Sequence, residues 1–555
     1  MNAAIVGLAG LVLFTLAYRF YGRYISGTIF SLDEENSQTP SEEFRDDIDY
    51  VPTKKGILVG HHFSSIAGAA PIVGPAVAVI WGWVPAMLWI ILGVIFMGAV
   101  HDFGALVVSM KHRGNSMAFV AEKILGKRSR TLFLTVIFFL VWMVIAVFAL
   151  VIANLFIQFP GAVLPVNFEI IIAIVMGVLI NKKGISLTIP SILAQLMLIV
   201  MIFIGTKYPM SLKGLFGDNE LMAWVVFLMI YSFFASVLPV WTLLQPRDYI
   251  NSHQLVMGLT LMVLGLFVTQ PTIVAPAVNF NAEGAPPWFP FLFITIACGA
   301  ISGFHGLVSG GTSSKQVATW KDAKPVGYGS MLGEGLLALL ATLAVTAGFS
   351  SESAWHDHYH SWSAANGLSA KISAFVLGAG KFVAGLGIPE DVSHTVIAVL
   401  IISFAATSLD TACRIQRYIV GEFGKSMNVP VLENRFIGSG IAVGTAFLLM
   451  LTSEGGKGGL HLWPLFGATN QMLAGLTLIV ITVFLIQKRK NFWPYLIPAI
   501  FVILMTALGL SMNIKIYYSQ KNWFLITLGI ILFAAQIWVF VESALAVSRA
   551  RNKMD

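Results

Sequence analysis

Apolar runs of spanning length recur along the whole chain, separated by short polar loops. Their spacing predicts membrane helices at about 3–22, 57–79, 85–110, 131–158, 167–182, 186–206, 221–244, 254–275, 289–308, 328–349, 392–412, 436–452, 460–486, 492–512 and 522–547. That is about 15 spans; those at 167–182 and 436–452 are the shortest. Residues 371–388 are apolar but hold Lys371, Lys381 and several glycines, which predicts a short helix in or near the interface. The pattern is that of an all-α polytopic membrane protein.

Composition agrees. Of 555 residues 57% are hydrophobic and 11% charged, against about 25% charged in soluble domains. The net charge of +7 would suggest nucleic acid in a soluble protein, but here it follows the loops. With the N-terminus outside and the C-terminus cytoplasmic, only seven of the 34 lysines and arginines are outer: Lys207, Lys213, Lys371, Lys381, Lys457, Lys515 and Lys521. The charge is a positive-inside bias, and no nucleic-acid partner is implied. Arg19 and Arg23 follow the first apolar run instead of preceding it, so that run is a helix and not a signal peptide. Cys298 and Cys413 lie in or beside apolar segments and offer neither a disulfide framework nor a cysteine metal site.

The stretch Gly60 to Trp83, GHHFSSIAGAAPIVGPAVAVIWGW, does not read as a plain lipid-filling helix. Adjacent histidines, serines, small residues and Pro71 and Pro75 predict an unwound helix. Irregular backbone at membrane depth is tolerated only where it is buried or lines a cavity. Tight packing of small residues is the competing reading. A second, similar stretch runs from Gly299 to Ser314, GAISGFHGLVSGGTSS, with Gly303-x-His305 beside Gly60-x-His62. The first enters from the cytoplasm and the second from outside, so the two are inverted.

The expected organisation is then an N-terminal helix (1–30), an acidic cytoplasmic linker (31–56), a first five-helix repeat (57–206) and two linking helices (207–288). A second five-helix repeat (289–486) with an outer loop (350–391) follows, then two C-terminal helices and a basic tail (487–555). Inverted five-helix units that each open on a broken helix resemble the LeuT-type arrangement, a 5+5 inverted repeat with extra helices.

Half-helix N-termini offer free N–H groups to a carboxylate, and unwound carbonyls suit a cation. Candidate substrate-binding residues are Ser64, Ser65, Gly68, His305, Ser309, Gly310, Gly311 and Thr312. Neither stretch has a strong acidic cluster, which favours an anionic or neutral substrate. Thr407 and Ser408 are adjacent hydroxyls in an apolar helix. Their resemblance to the hydroxyl pair of LeuT-type sodium symporters implies a cation site shared with carbonyls near Ala67; back-bonding to the preceding turn is the alternative. His61, His62, His101 and Asp102 are ionisable groups at membrane depth and candidates to relay a proton. Glu334 and Lys315 are further intramembrane charges, Asp410 is placed to pair with Arg414 one turn on, and Glu542 lies in a peripheral helix. His356, His358 and His360 recur in the outer loop, but with no fourth ligand they predict a solvated surface and not a metal site. No Walker loop and no His-Glu-x-x-His is present, so no cofactor beyond a coupling ion, H+ or Na+, is implied, and no enzyme.

YVPTKKGILVGHHFSSIAGAAPIVGPAVAVIWGWVPAMLWIILGVIFMGAVHDF resembles the hallmark region of the carbon starvation protein A (CstA) family. SGFHGLVSGGTSSKQ and SFAATSLDTACRIQRY resemble its second and third blocks, and the likeness spans about residues 2–545. The resemblance implies the amino acid–polyamine–organocation superfamily and its LeuT-like fold. It implies a prokaryotic inner-membrane transporter that imports a small carboxylate such as pyruvate, or peptides, by symport; proton coupling is implied for the pyruvate members. Membrane lipid and a small-molecule or peptide substrate are the partners expected, and oligomeric state is left open. A non-transporting nutrient sensor or a channel is the alternative.

Overall fold

The computed structural model describes residues 1–47, 49–183, 188–239, 241–452 and 462–552. Lys457 and the starts of the runs at 186 and 460 lie outside them. Among the described residues the protein is helical, with two isolated β-bridges (Asn2 to Thr272, Thr53 to Val317) and no strand.

The long helices are α1 (Ala3–Ile29), the bent pair α2 (Lys55–Ile66) and α3 (Ala70–Trp81), α4 (Trp83–Lys111), α5 (Lys127–Gln158), α6 (Pro160–Ile180), α7 (Ile189–Lys207), α8 (Lys213–Val237) and α9 (Leu244–Thr269). Then come two short pieces, α10 (Trp288–Thr295) and α11 (Gly303–Gly311). They are followed by α12 (Trp320–Ala347), α13 (Leu368–Ala384), α14 (Glu390–Lys425), α15 (Arg435–Met450), α16 (Trp463–Gln487), α17 (Trp493–Ser519) and α18 (Trp523–Arg549). Among the described residues twelve helices are long and apolar enough to cross a bilayer, and the α2/α3 pair adds a thirteenth. The expected fifteen is reached only by also counting α10 with α11 and the 16-residue α15.

The first break has a local cause. Proline lacks an N–H and its ring collides with the carbonyl four residues earlier, so Pro71 ends helical continuity at Ala67 while fitting the first turn of α3. The two halves meet at 49°. The second break is not where the sequence suggested. Gly303 to Gly311 are helical, and the unwound segment is Ile296 to Ser302. His62 therefore precedes its break and His305 follows its own, so the two Gly-x-His motifs are not equivalent positions.

The breaks lie against each other. A Cβ on Gly74 of α3 would come 2.4 Å from the Thr295 carbonyl at the end of α10, and one on Gly299 would come 3.6 Å from Pro71 Cα. Only glycine lets α11 start this close to α16: a Cβ at Gly303 would lie 2.4 Å from the Asn470 carbonyl. The core around this crossing is α16, with α5, α12 and α14; α1, α7 and α18 present apolar side chains outward. That distribution is expected of a lipid-facing rim around a protein-facing centre.

One boundary differs for a physical reason. The sequence predicts a loop at 245–253 because it reads Gln-Pro-Arg-Asp-Tyr-Ile-Asn-Ser-His, yet α9 starts at Leu244. Arg247, Asp248, Asn251 and Ser252 face the protein interior, where they find partners, while Gln245 and His253 stay exposed.

Candidate functional site

His305, on the first turn of α11, is buried between two carboxylates. Its Nδ1 is 2.9 Å from Asp102 Oδ2 on α4, and its Nε2 is 3.1 Å from Glu334 Oε2 on α12. His101 Nδ1 is 2.7 Å from the other oxygen of Asp102. All four side chains are buried. His62 on α2 is also buried; it interacts electrostatically with Asp102 and His305, and its Nδ1 is 2.7 Å from Ser313 Oγ. The α11 N-terminus is held from outside the helix: Asn470 Oδ1 on α16 accepts from the Phe304 N–H at 2.9 Å, while its amide donates to Ser302 Oγ at 3.0 Å. A foreign side chain thus satisfies an N–H that a helix end leaves open.

A second cluster lies on the other side of α2. Arg247 on α9 is buried, with Nε 3.3 Å from Glu169 Oε1 on α6 and Nη1 2.7 Å from Asp410 Oδ2 on α14. Tyr231 on α8 donates to Asp410 at 2.7 Å, and Ser403 donates to Glu169 at 2.9 Å. His61 Nδ1 is 3.0 Å from Asp248 Oδ2. Asp410 therefore does not pair with Arg414. Arg414 instead donates to the Ala235 and Leu238 carbonyls at the end of α8, where helix carbonyls lack partners.

A cavity of about 650 Å³ opens beside this cluster. His61, Asp248, Gln245, Met117, Thr312, Lys315 and Arg414 line it. It opens at the end of the bundle carrying the 111–130 loop, the end that charge counting assigns to the cytoplasm.

The sequence-derived residues distribute unevenly. His62, His101, Asp102 and His305 converge. Ser64 and Ser65 donate to the His61 carbonyl at 3.1 and 2.8 Å, and Ser64 also reaches the Asp248 carbonyl. Ala67 and Gly68 form the break, and a Cβ on Gly68 would lie 3.1 Å from Ser408 Oγ, so Ser408 does adjoin it. Thr407 donates back to the Ser403 carbonyl at 3.0 Å and accepts from Asn251. Ser309 is buried, Gly310 packs on Met117, and Thr312 reaches the cavity. Ser309 to Thr312 thus stand at the C-terminal end of α11, not at its break. A helix C-terminus presents carbonyls and the negative dipole end, so these residues do not offer the free N–H groups expected for a carboxylate.

Neither broken stretch carries a strong acidic cluster of its own, yet carboxylates reach the site from elsewhere. Asp102 and Glu334 border the breaks from α4 and α12, outside both stretches. Sequence reasoning missed Glu169, Tyr231, Arg247, Asp248, Ser313 and Asn470. The usable signal was Glu169 in an apolar run, since an intramembrane carboxylate is by default a functional candidate.

These features define a class: a polytopic α-helical membrane protein whose ionisable groups converge inside the bundle, around two broken helices. Sequence comparison supplies the family. Residues 2–509 match the family described as carbon starvation protein CstA, and the chain belongs to it. It is 32% identical over 559 residues to the peptide transporter CstA of Bacillus subtilis (strain 168), covering 95% of this chain and 92% of that one. It is 30% identical over 596 residues to the pyruvate/proton symporter BtsT of Escherichia coli (strain K12), covering 92% and 82%. A crystal structure of an Eremococcus coleocola manganese transporter mutant covers 91% of this chain and 99% of its own at 12% identity, with a TM-score of 0.48. The chain is a membrane transporter and not an enzyme.

Proposed function

We propose that the protein is a secondary active transporter that imports a small carboxylate of the pyruvate type, or peptides, coupled to H+ or Na+ by alternating access. The observation that carries this reading is the buried His62–His101–Asp102–His305–Glu334 cluster at the meeting of two helix breaks. Ionisable groups at membrane depth are expensive and mark ion or substrate pathways. Discontinuous helices are the usual way to build such a site in transporters.

The N–H groups at the start of α3, at Ala69 and Ala70, are the positive helix end best suited to a substrate carboxylate. A sodium ion would use the Ser408 hydroxyl beside Gly68 and the Ala67 carbonyl. Residues 57–206 and 289–486 are read as the two inverted units, one rocking against the other. Positive-inside bias puts the N-terminus outside and the C-terminus in the cytoplasm of a prokaryotic inner membrane.

Uptake of labelled pyruvate and labelled dipeptides into proteoliposomes, with pH and sodium gradients imposed separately, tests the proposal. Accumulation above the external concentration is expected. Flux that never exceeds the solute's own gradient would make the protein a channel, and binding without uptake would make it a sensor.

A further inference from the structure

The geometry points to Asp102, His305 and Glu334 as a proton-binding site, with His62 and Ser313 as its outlet to the cavity. This inference rests on the transport reading above and assigns its coupling ion.

The argument starts from charge and connectivity. An imidazole clamped between two buried carboxylates is poised to hold one proton more than it needs for a single hydrogen bond. Asp102 has both oxygens engaged, by His101 at 2.7 Å and His305 at 2.9 Å. Glu334 has only the 3.1 Å ion-pair approach of His305, and neither of its oxygens has a hydrogen-bond partner among the described residues. Glu334 is therefore the group free to gain or lose a proton. Unloaded, two carboxylates face each other across a neutral ring at membrane depth, where uncompensated charge is costly. One added proton relieves that.

The groups facing the cluster are few. α2 contributes His61 and His62, α4 contributes His101 and Asp102, and α12 contributes Glu334. Cys298, in the second break, lies in the field of Glu334. The neighbouring side of α16 presents neutral Asn470 and Thr477. No lysine or arginine forms an ion pair with the cluster among the described residues, so nothing competes with a proton there.

Release then balances as a relay. The Glu334 O–H bond breaks as the Nε2–H bond of His305 forms. The Nδ1–H of His305 breaks as Asp102 is protonated. From Asp102 the proton reaches His62 Nε2 through an intervening water, because that nitrogen is buried and has no direct hydrogen-bond partner among the described residues. His62 Nδ1–H passes its proton to the buried Ser313 Oγ, 2.7 Å away, and the hydroxyl gives up its own toward the cavity that the neighbouring Thr312 lines. One proton leaves, and Glu334 and Asp102 end as carboxylates. The same chain spans α2, α4, α11 and α12, so its charge is linked to how the two broken helices pack.

The full-length protein in proteoliposomes, with labelled pyruvate and a labelled dipeptide, provides the test. Two quantities are read: accumulation driven by an inward pH gradient, and exchange of labelled for unlabelled solute at equal pH. One pH unit is worth about tenfold per proton. Glu334→Gln should lose that accumulation while exchange stays within about twofold of wild type. Asp102→Asn should show the same split, and Ser313→Ala should slow net uptake more than exchange. The inference is overturned if Glu334→Gln and Asp102→Asn accumulate solute as wild type does. It is equally overturned if wild type responds to sodium and ignores the pH gradient. If Glu334→Gln does not insert, Glu334→Asp, which keeps a carboxyl on a shorter stem, must move the pH midpoint of uptake, and an unmoved midpoint sinks the site. Wild type that moves neither solute defeats the transport reading itself.

Discussion

Arg247 holds Glu169 and Asp410 at once, on three different helices, with no water-facing surface to share the load. Removing the guanidinium leaves two buried carboxylates without their cation, so Arg247→Met should cost about 3–5 kcal/mol. Thermal unfolding in detergent reads this. The triple change Glu169→Gln, Arg247→Met, Asp410→Asn should cost less than the single one, because it leaves no orphaned charge. Lys371 on α13 is the reverse case: only 4% exposed, it sits over the Trp463 ring with no carboxylate partner among the described residues, and burial pushes its ammonium down to about 7. An unfolded lysine titrates near 10.4. The buried charge thus costs stability below the unfolded value, fully so below about 7. Lys371→Met should raise the melting temperature most at pH 6, with the gain fading as pH rises past 10. Histidines and Asp102 were legible as candidates because ionisable residues stand out in apolar runs. Arg247 and Asp248 were not, because one sequence cannot tell a polar stretch that is a loop from one whose partners lie on other helices.

Among the elements, α11 depends on a cap that its own sequence does not supply. Asn470→Ala removes the acceptor for the Phe304 N–H and should cost about 1 kcal/mol, with reduced uptake because His305 sits on that first turn. Helices α12 and α13 cross at Gly348 and Gly378, where a Cβ on Gly378 would come 2.1 Å from the Ala344 carbonyl. Small residues of this kind let membrane helices approach closely. Gly378→Leu should therefore lift α13 off α12, which increased proteolysis of the 350–391 loop would reveal. The first break was readable from Pro71, since the covalent clash is local. The second contains no proline, and its unwinding at Ile296 to Ser302 comes from α16 and α3 pressing on it. Tertiary causes leave weak marks in one sequence, so the break was misplaced toward the conspicuous serines and glycines.

For the molecule as a whole, a cavity that opens at the end carrying the 111–130 loop should appear as one-sided chemistry. Gln245→Cys places a thiol in the cavity, while Cys298 and Cys413 are both free and largely buried. A membrane-impermeant maleimide should label it in inside-out vesicles and not in right-side-out ones. The opposite pattern would reverse the topology drawn from loop charge. That topology rests on the bilayer forcing hydropathy and positive charge to alternate along the chain. The Glu169–Arg247–Asp410 tie has a different consequence, in the order of synthesis. Glu169 and Arg247 are 78 residues apart, and Arg247 and Asp410 are 163. On a growing chain α6 leaves the ribosome first, then α9, and α14 long after. A charged side chain at the centre of a helix costs about 2.5–3.5 kcal/mol to insert alone. The early helices must therefore wait at the insertion machinery, or hold in a half-assembled bundle, until Asp410 arrives. A nascent chain that stops before α14 should be short-lived in cells, because its arginine has met only half of its counter-charge.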